Sequence, residues 1–140
     1  MRPDIWGPHA WIFLHSISLE YPDYPTDNDK NNMKNFINSL GNVLPCKKCI
    51  TNFKLHAKTL DDHVLSSKKN LIKWFIDVHN AVNKFNNKQE LTYDNALKNI
   101  LMLYNKNNSN ILIGYIIVVI IIIFLISLLL RFLFYKPFTS

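Results

Sequence analysis

Residues 111–130 contain no Asp, Glu, Lys or Arg in twenty consecutive positions. That gap excludes a simple soluble protein, and its being single excludes a multi-span transporter. The rest of the 140-residue chain is polar and rich in Lys and Asn, so a near-zero mean hydropathy averages a polar domain with an apolar tail. Cysteine is nearly absent: two residues, Cys46 and Cys49, where a secreted disulfide scaffold needs more of them at wider spacing. Glycine occurs three times, and no sustained alternation of apolar and polar residues marks a strand. Acidic residues do not occur after residue 110, and the part before it carries a net charge of +4. A basic stripe interleaved with aromatics is also missing. Only the doublets Lys47-Lys48 and Lys68-Lys69 stand out, which argues against a nucleic-acid partner. No apolar signal segment opens the chain, since Met1-Arg2-Pro3-Asp4 runs straight into an amphipathic stretch.

As a helix, 111–130 reaches roughly 30 Å at about 1.5 Å per residue, the thickness of a bilayer core. Tyr115 near one end and Phe132, Phe134 and Tyr135 near the other suit interfacial anchoring. The expected organisation is a compact helical domain over 1–104, a polar linker over 105–110, a single transmembrane helix over 111–135 and a short tail over 136–140. With so few residues after the span, the pattern is that of a tail anchor with its domain in the cytosol. Lys98 and Lys106 before the span balance Arg131 and Lys136 after it, so flanking charge does not choose the orientation.

Apolar residues before the span recur at helical spacing, which predicts an all-α fold: a four-helix bundle plus a short fifth helix. The first helix is expected from near Pro8, carrying Trp11, Ile12, Leu14 and His15, and stopping near Tyr21-Pro22. The second follows Asp29, with Met33, Phe36, Ile37, Leu40 and Val43 on one face, and Pro45 breaks it. The third begins at the cysteines and continues to about Leu60. The fourth covers 67–85, with a stripe of Leu71, Trp74, Phe75, Val78, Val82 and Phe85. The fifth covers 92–104.

Cys46-Lys47-Lys48-Cys49 is one C-x-x-C, whose two thiols can close a small ring. Pro45 sets Cys46 near a helix N-terminus, where free backbone N–H groups and the helix dipole favour thiolate over thiol. Lys47 and Lys48 add positive charge, and a stabilised thiolate leaves more readily. A thioredoxin-like arrangement would need flanking βαβ pattern, which is missing. Zinc is the rival: Cys46, Cys49, His56 and His63 offer two thiolates and two imidazoles, but the gaps of six and six differ from finger spacing.

Trp11 and His15 are four apart and share a helix face, as do His79 and Asn83, with Asn80 beside them. Each alone reads as an ordinary core histidine, cap or solvated amide. Together they offer indole and imidazole planes with amide donors and acceptors, as a planar cofactor such as a flavin or adenine requires.

Four blocks in order carry a resemblance: Trp6-Gly7-Pro8-His9-Ala10-Trp11 with His15, Tyr21-Pro22-Asp23-Tyr24-Pro25, Pro45-Cys46-Lys47-Lys48-Cys49, and Trp74 with His79-Asn80-Ala81-Val82-Asn83. Over about residues 2–95 the chain resembles the Erv/ALR sulfhydryl oxidases. Its size, its lack of further cysteines and its terminal apolar segment resemble the versions carried by large cytoplasmic DNA viruses. The resemblance implies a homodimeric bundle holding FAD non-covalently. It implies that Gly7, Pro8, Trp11, His15, His79, Asn80, Val82, Asn83 and Lys88 bind the cofactor, with Lys88 toward phosphates or adenosine. It also implies catalysis by Cys46 and Cys49, Cys46 facing outward and Cys49 facing the isoalloxazine ring. Electrons would pass from a thiol-containing protein, or from a small dithiol or thioredoxin-like relay, through the C-x-x-C pair and FAD to dioxygen, giving hydrogen peroxide. The membrane would be that of a virion or host cell. Two departures stand out: Ile76 occupies the place of a structural cysteine and no shuttle pair exists, while Asn86-Asn87-Lys88 keeps only the lysine of the usual Leu-Gly-Lys.

Overall fold

Five α-helices and one 3₁₀ turn make up the regular structure, and no strand occurs among the described residues. The computed structural model describes residues 1–134, with side chains except at 105–110 and 132–134. The chain divides into two units, Met1–Ile100 and Leu101–Ser140.

Helix α1 spans Pro3–Leu19 and begins more than a turn before the expected Pro8. Pro3 sits in the first turn, where its fixed φ and missing N–H are tolerated. Pro8 then lies inside the helix and gives up the bond that its N–H would have made. Helix α2 spans Asp27–Val43 and is capped by Thr26, not by Asp29. Thr26 Oγ1 accepts from the Asp29 N–H at 3.2 Å, and Asp29 Oδ2 accepts from the Thr26 N–H at 2.8 Å. Asp29 therefore occupies the third helical position of a capping box. Met33, Ile37 and Gly41 form the buried face of α2. A Cβ on Gly41 would stand 3.4 Å from Phe53 Cδ1, an ordinary contact, so α3 lies against α2 here at a distance that an alanine would also allow.

Helix α3 spans Lys47–Ala57, with Cys46 as its N-cap. It ends three residues before the expected Leu60. Thr59 N–H and Leu60 N–H turn back onto the carbonyls of His56 and Ala57, and Asp61 Oδ1 accepts from Val64 N–H at 2.8 Å to start the 3₁₀ turn Val64–Ser66. Helix α4 spans Lys68–Phe85, and its N-cap Ser67 accepts from the Asn70 N–H. These bounds agree with the expected 67–85 because a serine cap precedes an apolar stripe of helical period.

Helix α4 organises the compact unit. Leu71, Trp74, Phe75 and Val78 join Leu14, Ile37, Phe53 and Leu65 in the main core, while Ile72 and Ile76 meet Ala96 and Ile100 in a second cluster. Phe75, Leu65 and Leu71 are fully buried, each worth roughly 1.5–3 kcal/mol on removal from water. Two aromatic polar tips in this core are paired: Tyr21 Oη donates to the Leu65 carbonyl at 3.0 Å, and Trp74 Nε1 donates to Thr59 Oγ1 at 2.9 Å.

Helix α5 spans Tyr93–Phe134. The expected linker 105–110 has helical backbone, consistent with its lack of Gly and Pro. Within α5, Ile111–Arg131 is long and apolar enough to cross a membrane, and none of it is buried. The expected anchors Phe132 and Phe134 fall outside the described side chains, and Tyr135 and the tail 136–140 lie outside the described residues.

Candidate active site

Helices α1 and α4 run antiparallel, because His79 meets both Trp11 and His15 while the charge of Lys88, beyond the end of α4, acts on Asp4 at the start of α1. The second half of α4 thus lies along the first half of α1. The helical spacing of Trp11 and His15 presents both rings to the same neighbour. Trp11 and His79 stack face to face, with centroids 4.1 Å apart and planes 7° from parallel. His15 Nε2 and His79 Nδ1 share one hydrogen bond of 3.0 Å.

Burial pushes both imidazoles down to about 4, and for His79 the neighbouring His15 and Lys88 add to it. Both rings are therefore neutral at neutral pH. One nitrogen of the pair, His15 Nδ1, is buried and has no partner among the described residues; Trp6 Nε1, on the same helix, is likewise buried and unpartnered among them. Buried polar atoms of this kind are rare in a finished fold, and a water molecule or a polar ligand would complete them. Gly7 follows Trp6, and a Cβ there would meet nothing within 4 Å, so that flank is open. Pro8 beside it is exposed.

Lys88 is carried into place by the end of α4. Asn87 adopts a left-handed conformation (φ 55°). The Lys88 N–H bonds back to the Asn83 carbonyl at 2.8 Å and the Asn87 N–H to the Lys84 carbonyl at 3.1 Å, which is a Schellman ending with Asn where Gly is common. Asn80 fastens the segment that follows: its Nδ2 donates to the Leu91 carbonyl at 2.8 Å and its Oδ1 accepts from the Leu91 N–H at 3.0 Å. The amide of Asn80, expected to face a cofactor, is thus spent on the loop that bears Lys88. Val82 and Asn83 are half-buried, and Asn83 supplies its carbonyl to the helix ending.

Cys46 and Cys49 form a disulfide at the start of α3, with Cα atoms 5.1 Å apart. The Cys49 N–H points at Cys46 Sγ, 3.2 Å away. Both residues are half-buried. Lys48 Nζ lies 4.6 Å from the centre of the Phe85 ring, which joins the start of α3 to the last turn of α4. Phe85 is six residues beyond His79, roughly 9 Å along a helix axis. The disulfide and the stacked rings therefore occupy the same end of α4. No group of three or more His, Cys, Asp or Glu gathers as a metal set among the described residues, so His56 and His63 do not join the cysteines in a zinc site.

The structure thus brings Trp11, His15 and His79 into contact, sets Lys88 within their field, and gives Asn80 a supporting task. Two participants escaped the sequence: Trp6, whose signal was a second indole five residues before Trp11, and Phe85, whose pairing with Lys48 across 37 residues has no local trace.

The model of the Erv1 / Alr family matches residues 8–101. A probable FAD-linked sulfhydryl oxidase of Acanthamoeba polyphaga mimivirus is 46% identical over 102 residues, covering 71% of each chain. The mitochondrial FAD-linked sulfhydryl oxidase of Saccharomyces cerevisiae is 36% identical over 84 residues, 59% of this chain and 44% of the yeast protein. The crystal structure of the yeast Erv1 core matches with a TM-score of 0.63 at 30% identity, covering 67% of this chain and 79% of that one.

Proposed function

This chain belongs to the Erv1/Alr family, and on that premise we propose that it is an FAD-dependent thiol oxidase that forms disulfide bonds in protein substrates. The observation that carries this reading is a disulfide at a helix N-terminus, at the same end of α4 as a stacked, neutral, partly unpartnered ring cluster.

In the exchange, a client thiolate attacks Cys46 Sγ. A bond forms between those sulfurs, the Cys46–Cys49 bond breaks, and Cys49 takes the electron pair as a thiolate. A second client thiolate then displaces Cys46. The Cys49 N–H aimed at Cys46 Sγ, with the α3 dipole behind it, stabilises the departing Cys46 thiolate. The client ends oxidised by two electrons, and Cys46 and Cys49 hold them as a dithiol. When held by Trp11, His15, His79 and Lys88, FAD would supply the acceptor for those two electrons, with dioxygen as the final oxidant and hydrogen peroxide as product.

The residues present fit such a cofactor. Trp11 and His79 supply flat surfaces, His15 Nδ1 and Trp6 Nε1 supply unspent polar atoms, and Gly7 leaves room. Lys88 offers a cation to phosphates or adenosine, with Val82 and Asn83 on the neighbouring wall. Neutral imidazoles keep this wall free of charge. Asn80 acts as a positioning residue for Lys88 through Leu91. The chain acts as a homodimer, and its client is a thiol protein or a small dithiol or thioredoxin-like relay. Ile111–Arg131 supports a single-pass anchor in a virion or host-cell membrane, with the catalytic domain on the cytosolic side.

The test is the purified full chain in neutral detergent. A flavin visible spectrum and dithiothreitol-driven oxygen consumption are expected. A colourless protein that consumes no oxygen after reconstitution with FAD sinks the proposal.

A further inference from the structure

Resting on the oxidase reading, we infer that the rim of the Cys46–Cys49 disulfide is a docking surface for a thiol client whose cysteines are flanked by carboxylates. The chain near the disulfide carries charge of one sign. The stretches 36–60 and 78–89, which supply the end of α2, α3 and the second half of α4, hold six lysines and no aspartate or glutamate. The ion pairs among the described residues engage Arg2, Lys30, Lys34, Lys68 and Lys73. Among the described residues Lys47, Lys48 and Lys54 have no carboxylate partner, and all three are exposed.

Lys47 and Lys48 stand between the two cysteines, and Lys54 follows two turns along the Lys47 face of α3. Exposed apolar groups flank them. Val43 ends α2 three residues before Cys46 and is 72% exposed, and Phe85 under Lys48 is 48% exposed. Unpaired cations beside apolar anchors, around sulfurs that an incoming chain must touch, match an acidic segment with an apolar side chain near its thiols. The same field draws in the attacking thiolate, which is itself an anion. An anionic lipid surface fits less well, because a face closed on lipid would shut the disulfide away from its client.

The experiment uses the full-length, FAD-loaded chain in neutral detergent without oxygen. Three reductants are compared: dithiothreitol, and two peptides with one Cys-x-x-Cys core flanked by glutamates or by lysines. Reduction of the Cys46–Cys49 disulfide is followed by thiol alkylation and mobility shift. The glutamate-flanked peptide is expected to react about tenfold faster or more at about 20 mM salt. The advantage should shrink below about threefold at about 0.5 M, where screening acts within about 5 Å. Charge reversal in K47E/K48E should abolish or invert the preference. Equal rates for the two peptides at low salt, with dithiothreitol still effective, overturn the inference and leave the oxidase reading intact. A preference for the glutamate peptide that high salt leaves untouched overturns it too. If dithiothreitol reduces the disulfide but oxygen then fails to restore it, the oxidase reading falls and this inference with it.

Discussion

The two halves of the candidate site differ in nearly every physical respect. The Cys46–Cys49 disulfide is half-buried, sits at a helix N-terminus and has the exposed Lys47 and Lys48 between its cysteines. The Trp11–His15–His79 cluster is half-buried to buried, neutral and stacked; His15 Nε2 and His79 Nδ1 are matched to one another, and His15 Nδ1 has no partner among the described residues. Two jobs are thereby kept apart. The first needs ions and access, because sulfur exchange proceeds through thiolates. The second needs a low-dielectric, preorganised wall that does not change charge near neutral pH.

Removing one sulfur separates the halves most sharply. Cys46→Ser is expected to cut oxygen-linked turnover at least about 10³-fold, as loss of a reacting group does. The flavin absorbance should stay, because no cofactor contact is proposed for Cys46. Loss of colour together with turnover would merge the two halves into one.

Acid should break the second half. Both imidazoles ionise near 4 in the folded chain, below their ordinary value of 6.5. The folded state therefore binds fewer protons than the unfolded one between those limits. Its stability from this pair is present above about 6.5 and is lost as pH falls toward about 4. Thermal unfolding at pH 7 and pH 5 checks this: Tm should drop at pH 5, and an equal Tm would contradict a buried neutral pair.

The smallest effect is expected at Gly7. Gly7→Ala should stabilise the flavin-free chain by about 0.5–1 kcal/mol, since alanine suits a helix interior better and its Cβ meets nothing in the chain. The same methyl should weaken flavin binding if the open flank belongs to the cofactor. Titration of the variant with FAD measures this, and an unchanged Kd would remove Gly7 from the site.

The parts of the fold legible in the sequence are those with local causes. Ser67 ahead of an apolar stripe marks α4 to within a residue, and the four-residue spacing of Trp11 and His15 marks their shared face. Boundaries slipped where a residue type has two uses. Pro8 reads as a first-turn proline, but Pro3 fills the first turn. Asp29 reads as a cap, but it is the third residue of a box opened by Thr26. Asn80 reads as a cofactor amide, but its two polar atoms close onto Leu91, eleven residues on. The seating of Lys48 on Phe85 is purely tertiary, whereas the lysines beside the cysteines are local and legible.

His15 Nδ1 and Trp6 Nε1 are shut away from water, and no group among the described residues bonds to them. Each such nitrogen costs the fold about 1–3 kcal/mol until something bonds to it. In a cell short of riboflavin, more copies of the chain would open and fall to proteases, so vitamin supply would help set the protein's abundance as well as its colour.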